Sequence, residues 1–277
     1  MNIITGDKFM NFCTHHCDRN HMQSKGSLHQ VNYMYVEGHN FSTALYFADK
    51  YYNVKWVIVS HNSDANIIDH EGRDFDYCFV ESNIPKNVKM IFAQNLNVLS
   101  KIIRPLPIGI ENWKWHKGQK WVEIESMAPQ KFKREKWLYV NHAIATNPEE
   151  RTQPYNLFKN KGFATVKSKI SFLEYLTDLK KHRFRICPFG NGLDTHSIWE
   201  TLYMDCVPIV KKAIFTEIFQ RLVPMIIVND WSEVTLKNLE KWYYQEKQWK
   251  ECKARGEYDA LNFDWWIKVI KGEVRIG

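Results

Sequence analysis

The sequence lacks long hydrophobic runs. None of its apolar stretches approaches the roughly 20 residues that a membrane-spanning helix needs. The first residues, MNIITGDKFMNF, also lack the basic segment, apolar block and small-residue cleavage site of a secretory signal. Internal repeats and low-complexity segments are absent as well. These absences predict a cytoplasmic protein without a membrane span.

The cysteines and the net charge indicate the redox state of the protein and the kind of partner it binds. Three of the six cysteines, Cys78, Cys187 and Cys206, lie within apolar strand-like runs, which favours reduced core thiols over a disulfide framework. The 38 Lys and Arg residues outnumber the 31 Asp and Glu residues, leaving a net charge of +7. This balance favours an anionic partner: a nucleotide, an acidic glycan or nucleic acid. Because the basic residues are spread along the chain, nucleic acid is the weakest of the three.

Strand-like and helical patterns alternate along the chain. The β-rich runs are at residues 54–60, 77–81, 88–93, 102–108, 137–141, 163–166, 184–187, 207–210 and 225–228. Helical spacing of apolar residues occurs at 40–52, 148–159, 171–182, 195–204 and 214–221, then in a long helix from residue 232 and a final helix at 258–271. Such alternation predicts the α/β class, with parallel sheets and connecting helices.

The middle of the chain interrupts this alternation. Residues 113–136 are rich in Lys, Glu and Trp without clean periodicity, and we interpret them as an inter-domain connection. The 277 residues suffice for two domains, which we place at 1–125 and 126–254, with a last helix at 255–277 bracing the two halves. Ligands of such sheets bind beyond the carboxyl ends of the strands, so the loops at those ends should carry the chemistry.

The stretch FRICPFGNGLDTHSIWETLYMDCVPIV, residues 184–210, reads as strand, glycine loop, helix and strand. Asp194 or Thr195 is a natural N-cap, and the free N–H groups and dipole of the helix start favour an anion. Gly190 and Gly192 would let the backbone approach it closely. His196 and Glu200, four residues apart, share one helix face, where a carboxylate suits a ribose diol. The alternative is an ordinary strand–loop–helix unit with a solvent-facing His–Glu pair.

A second candidate for anion binding is Arg151, at the start of the helix that follows strand 137–141. An arginine there could bind a diphosphate with two parallel hydrogen bonds. A solvated surface arginine is the alternative.

The same stretch resembles the C-terminal signature of the exostosin-like glycosyltransferases, glycosyltransferase family 47. The matching positions are Cys187, Pro188, Gly190, Asp194, Thr195, Trp199, Glu200, Leu202, Pro208 and Val210. The resemblance covers about a tenth of the chain and is nearest to the soluble members from microbes and large algal viruses. Two positions depart from it, since Ser197 replaces a usual Arg and Asp205 a common Gly. If the family Arg binds diphosphate, then Arg151, His196 or a lysine must substitute.

The resemblance implies a GT-B fold, in which two Rossmann-like domains face a central cleft. It also implies an inverting transfer from a nucleotide-sugar, usually UDP-linked, to a sugar hydroxyl of a glycan, with UDP-xylose as one candidate donor. The C-terminal half would then hold the donor and the N-terminal half the acceptor. A monomer that requires no cofactor is expected. A non-catalytic nucleotide- or glycan-binding module on the same fold is the alternative, favoured by Ser197.

An inverting transfer needs a base near the acceptor hydroxyl. Asp64, just after strand 54–60, is our first candidate for this base, with His61 as an alternative or orienting partner and Asp69 and Asp74 on the following loop. Other polar residues at strand ends are candidates for binding the acceptor: Asp7, Asn62, Gln94 and Glu111. The alternative for each aspartate or asparagine is a turn-capping role.

Two further patterns invite a metal. Asp74–Phe75–Asp76 has the D-x-D spelling that holds Mg²⁺ or Mn²⁺ in another glycosyltransferase fold, but the spelling is common by chance. A Cys- and His-rich segment could bind zinc, although its spacing fits no structural zinc pattern; it comprises Cys13, His15, His16, Cys17 and His21. We therefore expect no resident metal, and we interpret the segment as a loop near the cleft.

Overall fold

Two units, each with its own parallel sheet, make up the chain in the computed structural model, which describes residues 2–18, 21–115, 118–255 and 259–275. The N-terminal unit comprises Ile4–Ile108, Gly192–Asp194 and Phe263–Gly277. The C-terminal unit comprises Met1–Ile3, Gly109–Asn191 and Thr195–Asn262. The predicted α/β class with parallel sheets is confirmed. The predicted boundaries near residues 125 and 254, and the bracing role of the last helix, stay predictions.

The helices and strands alternate in chain order. The N-terminal unit has α1 (Gly6–Phe12), β1 (His15–Asp18), β2 (His21–Ser24), β3 (Val31–Glu37), α2 (Phe41–Lys50), β4 (Lys55–His61), β5 (Ile67–Ile68), β6 (Tyr77–Cys78), β7 (Val88–Ala93), β8 (Leu96–Asn97) and β9 (Ile103–Pro105). The C-terminal unit has α3 (Trp121–Met127), β10 (Lys136–Val140), α4 (Pro148–Phe158), β11 (Ala164–Val166), α5 (Phe172–Lys181), β12 (His182–Ile186), α6 (His196–Tyr203), β13 (Val207–Lys211), α7 (Ile214–Phe219), β14 (Ile226–Val228) and α8 (Leu236–Ala254). The last helix, α9 (Phe263–Lys271), belongs to the N-terminal unit.

Within the described residues of the N-terminal unit, the main sheet has the order β2-β1-β3-β4-β7-β9. Only the outer pair β1–β2 is antiparallel. The unit also has a small separate sheet of three parallel strands, in the order β6-β5-β8. The core on this sheet contains Met34, Trp56, Ile58 and Ile91, all fully buried. The strands end at one edge, where the loops after β4 and β7 emerge.

The sheet of the C-terminal unit is parallel throughout, in the order β11-β10-β12-β13-β14. A helix follows each of β10, β11, β12 and β13 before the chain returns to the sheet, so the carboxyl ends of the strands share one edge. Strand β13, VPIVK, is nearly continuous in buried apolar residues, as expected for a parallel sheet covered on both faces, whereas β12, HRFRI, carries charged residues between its apolar ones. The core includes Leu138, Phe184 and Ile209.

Several sequence predictions differ from the structure. Residues 6–12 form α1, so Asp7 lies in the first turn of a helix rather than at the end of a strand; Thr5 caps this helix by accepting from the Lys8 N–H at 3.3 Å. The strand predicted at 102–108 forms only over Ile103–Pro105, at the edge of the main sheet, where prolines are tolerated because no further strand needs their N–H. The Cys- and His-rich segment, interpreted as a loop, forms β1 and β2 instead.

Other differences concern helices. The aperiodic connection contains α3, whose Ile124 and Met127 are buried. The final helix begins at Phe263, whereas the predicted start, Tyr258, lies outside the described residues. In the described part of the chain, we find no helix with both the length and the apolar character needed to cross a bilayer.

Candidate anion site in the C-terminal unit

The loop after β12 is tethered to the start of α4. Arg151 Nε donates to the Phe189 carbonyl oxygen at 2.8 Å, and Asn147 Nδ2 donates to the Gly190 carbonyl oxygen at 2.8 Å. Asn147 also caps α4, because its Oδ1 accepts from the Glu150 N–H at 3.3 Å. Both residues therefore hold the glycine loop at the carboxyl edge of the sheet, the edge at which parallel α/β sheets bind their ligands.

Arg151 carries a positive charge that no carboxylate of the described residues neutralises. The residue is 9% exposed, and its guanidinium has a second bond, from Nη1 to the Ala143 carbonyl oxygen at 3.0 Å. No ion pair joins it to a carboxylate anywhere in the described ranges. Burial lowers the pKa of Arg151, and the charge of Arg185 lowers it further. A buried cation without an acidic partner is costly, which makes this position a candidate site for an anion.

The helix α6 begins one residue after the glycine loop, with Thr195 as its N-cap. Thr195 makes no side-chain cap; its hydroxyl lies 2.8 Å from the Ser197 hydroxyl instead. The first N–H groups of α6 therefore receive no side-chain oxygen from the capping residue, although the Ile198 N–H donates to the Thr195 carbonyl oxygen at 3.0 Å. N–H groups without a side-chain cap favour an anion at a helix start. His196 uses Nδ1 to donate to the Gly109 carbonyl oxygen at 2.9 Å.

Asp194 and Gly192, predicted to bind the donor, are assigned to the N-terminal unit. The Asp194 carboxylate accepts from the Ile108 N–H at 2.6 Å, and its own N–H donates to Asn95 Oδ1 at 2.8 Å. A Cβ at Gly192 would lie 2.5 Å from the Asn95 side chain, so only glycine fits there. Sequence reasoning identified both residues but gave them to the donor half.

Glu200 lies in a buried polar network that the sequence did not predict. Tyr175 OH donates to Glu200 Oε2 at 2.5 Å, and Arg185 Nη1 lies 3.9 Å from the same oxygen. Arg185 Nη1 also donates to Tyr175 OH and, at 2.9 Å, to the Ser197 carbonyl oxygen. The three side chains are between 2% and 6% exposed. Glu200 is thus fixed in place by Tyr175 and Arg185 rather than pointing to solvent with His196.

The charge state of this network follows from its partners. Burial alone would lower the pKa of Arg185, but the acidic groups around it, Tyr175, Cys187 and Glu200 among them, outweigh burial and raise it. Burial also raises the pKa of the Cys187 thiol, which lies 3.7 Å from the Thr201 hydroxyl. Arg185 therefore stays a cation, and Cys187 is a neutral core thiol beside the glycine loop.

The N-terminal unit brings several predicted residues together at the ends of β4 and β7. His61 Nε2 donates to the Pro107 carbonyl oxygen at 3.0 Å, while its Nδ1 accepts from the Asn62 N–H at 2.8 Å. The Asn62 N–H also lies 3.0 Å from Gln94 Oε1. A Cβ at Gly6 would lie 1.7 Å from Asn62 Oδ1, so the start of α1, with half-buried Asp7 in its first turn, packs directly on Asn62.

The candidate bases are not gathered in the same way. Asp64, Asp69 and Asp74 are exposed. The Asp64 carbonyl oxygen accepts from Arg73 Nη2 at 3.0 Å, and the His70 side chain, 2.7 Å away, holds the pKa of Asp69 below its usual value. His61, by contrast, is 1% exposed with both ring nitrogens bonded inside the fold, which suits orienting Asn62.

The D-x-D carboxylates have separate surroundings. Asp76 accepts from the Asn66 N–H at 2.9 Å and from Arg73 Nη2 at 3.1 Å, whereas Asp74 is exposed. Burial acts to raise the pKa of Asp76, but the hydrogen bonds from Asn66 and Arg73 outweigh it and lower the pKa. Asp76 is therefore an anchor for its own loop.

Metal and acceptor candidates complete the set. Throughout the described ranges, no three His, Cys, Asp or Glu side chains are grouped to hold a metal ion. In the Cys- and His-rich segment, burial raises the pKa of Cys17 to about 12, and His16 Nε2 donates to the Met10 carbonyl oxygen at 2.8 Å. Glu111, predicted to bind the acceptor, is half-buried and belongs to the C-terminal unit. Pro188, predicted to bind the donor, is buried beside the glycine loop.

Comparison with known proteins gives weak structural likeness only. No protein-family model and no curated protein matches the chain. One similar solved structure is the pneumococcal O-GlcNAc transferase GtfA in complex with UDP and GlcNAc, at 9% identity and a TM-score of 0.40, over 88% of this chain and 57% of that one. Another is the UDP-GlcNAc 2-epimerase from Methanocaldococcus jannaschii, at 11% identity and a TM-score of 0.32, over 78% of this chain and 69% of that one. This chain thus spans little more than half the length of the transferase, and its function has to be inferred from the residues described above.

Proposed function

We propose that the chain is a glycosyltransferase of GT-B architecture that takes its sugar from a UDP-linked donor held by the C-terminal unit. The observation that carries this proposal is Arg151, a buried arginine of α4 without an acidic partner among the described residues. Its guanidinium is hydrogen-bonded to the loop that leads to α6. A diphosphate would supply the missing negative charge and can accept two parallel hydrogen bonds from arginine.

The neighbouring groups complete the proposed donor site. The start of α6 offers backbone N–H groups to phosphate oxygens, and Glu200 offers a carboxylate to the ribose diol. The exostosin-like signature of residues 187–210 supports the same assignment. Cys187 and Pro188 shape the strand end, Gly190 and Thr195 the loop and cap, and His196 is held by the Gly109 carbonyl.

The transfer step is assigned to the N-terminal unit. Asp64 takes the proton from the acceptor hydroxyl, and that oxygen attacks the anomeric carbon as the bond to the UDP oxygen breaks, so the configuration inverts. Asp69 and Asp74 are the alternative bases. Asp7, Asn62 and Gln94 bind the acceptor, a sugar hydroxyl of a glycan, and UDP-xylose is one candidate donor.

Calorimetry of UDP and of uridine with the wild type and Arg151→Gln tests the donor site. We expect Arg151→Gln to weaken UDP binding roughly 10- to 100-fold, the scale of hydrogen bonds to a charged group, and to leave uridine binding unchanged. Arg134→Gln is the matched control, because Arg134, although half-buried rather than buried, likewise bonds to backbone carbonyls, at Leu179 and Met204. Equal UDP affinity in Arg151→Gln and the wild type would refute the diphosphate role.

Measuring UDP release from a panel of UDP-sugars, with and without sugar acceptors, separates an enzyme from a binding module. Transfer to an acceptor supports the proposal. Tight UDP binding without turnover in any combination would support the non-catalytic module, which Ser197 favours by removing a cation from the signature.

A further inference from the structure

A cavity of about 1080 Å³ lies in the C-terminal unit, away from the glycine loop. Its walls come from α3 and the segment that follows it, from the start of β12, from the end of α6 and from α8. Arg183 is the second residue of β12, and Asp205 precedes β13 by two residues, so the cavity lies at the amino ends of these strands. The proposed donor site lies at their carboxyl ends. The volume of the cavity is that of a site for a small organic ligand.

Cationic side chains outnumber carboxylates on the walls of this cavity. Four lining residues are cations and two are acids: Lys131, Arg134, Arg183 and Lys250, against Glu125 and Asp205. The Asp205 carboxylate pairs with the buried Lys180, whose Nζ lies 3.2 Å from its Oδ2, so it adds little negative charge to the cavity. The remaining excess of positive charge favours an anionic ligand.

Arg183 is held in a fixed orientation beside the cavity. Its guanidinium lies 4.0 Å from the ring centroid of Tyr243 and 5.1 Å from that of Trp137, so two aromatic rings set its plane. Its Nη1 donates to Glu246 Oε2 at 3.4 Å, while Lys250 Nζ donates to Glu246 Oε1. Two cations therefore meet one buried carboxylate, and one positive charge remains.

Arg183 also keeps hydrogen-bond donors that the fold does not use. Among the described residues, Glu246 is the single acceptor for its guanidinium, so Nε and Nη2 are left without a partner. The side chain is 19% exposed and lines the cavity, so a small molecule can reach these donors and a flat protein surface cannot. Arg134, by contrast, donates to three backbone carbonyl oxygens and adds charge alone. The free edge of the Arg183 guanidinium matches two oxygens of a phosphate or a carboxylate.

We propose that this cavity binds a small organic anion that carries at least two negative charges, as phosphates or carboxylates. One anionic group binds the free edge of Arg183, and Lys250 and the exposed Lys131 neutralise the other. Phe132 and Tyr243 offer an apolar wall to the carbon skeleton of the ligand. This site does not depend on the proposed donor site.

Calorimetry with two probes, pyrophosphate and citrate, tests the proposal and distinguishes phosphates from carboxylates. We expect Arg183→Gln to weaken binding roughly 10- to 100-fold, the scale of hydrogen bonds between charged groups. Lys131→Glu, which reverses one charge at an exposed position, should weaken it roughly 3- to 10-fold. Arg73→Gln is the matched control and should bind as the wild type does, because Arg73 also lies over an aromatic ring, Phe75, at 4.3 Å and pairs with Asp76, but belongs to the N-terminal unit.

Each probe is titrated into the wild type and into Arg151→Gln, because the proposed donor site also takes pyrophosphate. Binding that persists in Arg151→Gln and is weakened by Arg183→Gln supports the proposal, and the probe that gives it identifies the anionic group. Binding that is lost in Arg151→Gln and kept in Arg183→Gln belongs to the proposed donor site and overturns the cavity site.

Three other results would overturn the proposal. They are binding of neither probe at concentrations up to about 10 mM, equal affinity of the wild type and Arg183→Gln for both probes, and equal affinity of the wild type for citrate and its uncharged trimethyl ester. Should Arg183→Gln fail to fold, Lys131→Glu decides, because its exposed side chain can change without disturbing the core, and unchanged affinity in that variant overturns the proposal.

Discussion

Replacing Asp205 by glycine should destabilise this protein, although its backbone favours glycine. Asp205 has φ +55°, in the left-handed region, one residue after the C-cap of α6. There glycine relieves about 1 kcal/mol of steric strain. Asp205 also pairs with Lys180, whose Nζ lies 3.2 Å from Asp205 Oδ2 and 2.5 Å from the Ala128 carbonyl oxygen. The two effects of Asp205→Gly therefore oppose each other.

The burial of the two partners decides which effect is larger. The Lys180 side chain is 1% exposed and that of Asp205 is 33% exposed. Removing one partner of a fully buried pair costs about 3–5 kcal/mol, and solvent at Asp205 reduces that to roughly 2–3 kcal/mol. Subtracting the strain relief leaves Asp205→Gly less stable than the wild type by about 1–2 kcal/mol.

The loss should shrink once the buried amine is gone. In a Lys180→Met background the ion pair no longer exists, so Asp205→Gly should cost roughly 2–3 kcal/mol less than in the wild-type background. Urea unfolding of the wild type, both single variants and the double variant gives the four free energies of unfolding and hence the coupling between the two positions. Asp205→Asn is the control, because asparagine tolerates the left-handed region and lacks the charge. Equal effects of Asp205→Gly in both backgrounds would show that Lys180 does not depend on Asp205.

Two further predictions concern acid stability and catalysis. Burial lowers the pKa of His182 to about 4, so the unfolded chain, with an ordinary pKa near 6.5, binds the proton more readily and stability is lost as the pH falls from about 6.5 to 4. His182→Asn keeps a donor for the Asp178 carbonyl oxygen, which His182 Nδ1 contacts at 2.6 Å. It should reduce the stability lost between pH 7 and pH 4.5 by up to roughly 3 kcal/mol, measured as free energies of unfolding in urea at the two pH values. If His182→Asn loses as much stability as the wild type over this range, which is the result expected for the exposed control His29→Asn, the prediction is wrong. Asp64→Asn should lower transfer by roughly 10²- to 10⁴-fold without changing UDP affinity, and near-normal turnover in that variant would move the base to Asp69 or Asp74.

Local signals in the sequence predicted the parts of the fold that depend on neighbouring residues. The glycine loop, the cap at Thr195 and the helix from His196 follow from residues within a few positions of each other, and the structure has them there. The parallel strands follow from compact β-rich runs. Strand β3 was missed, because its polar and aromatic sequence, VNYMYVE, lacks a compact apolar run and is buried only within the assembled sheet.

The remaining parts of the candidate site depend on residues far apart in the sequence. Glu200 was identified as a ligand residue, but its partners Tyr175 and Arg185 lie 25 and 15 positions earlier and meet it only after the sheet forms. A signal was nevertheless present, since Arg185 is a charged residue inside a strand of buried apolar neighbours. Likewise Asp76 looked like half of a metal motif, and only its contacts with Asn66, ten positions away, show it as a loop anchor.

The buried cations of the C-terminal unit also bear on the role proposed for Arg151. Three are nearly inaccessible among the described residues: Lys180, Arg185 and Arg151. Lys180 pairs with Asp205 and Arg185 with Glu200, so the fold neutralises both at the cost of ordering two carboxylates. Arg151 has the same desolvation to overcome and only carbonyl oxygens to meet it. Since a carboxylate beside Arg151 would compete with any bound anion, leaving this one cation uncompensated is consistent with a position reserved for a phosphate group.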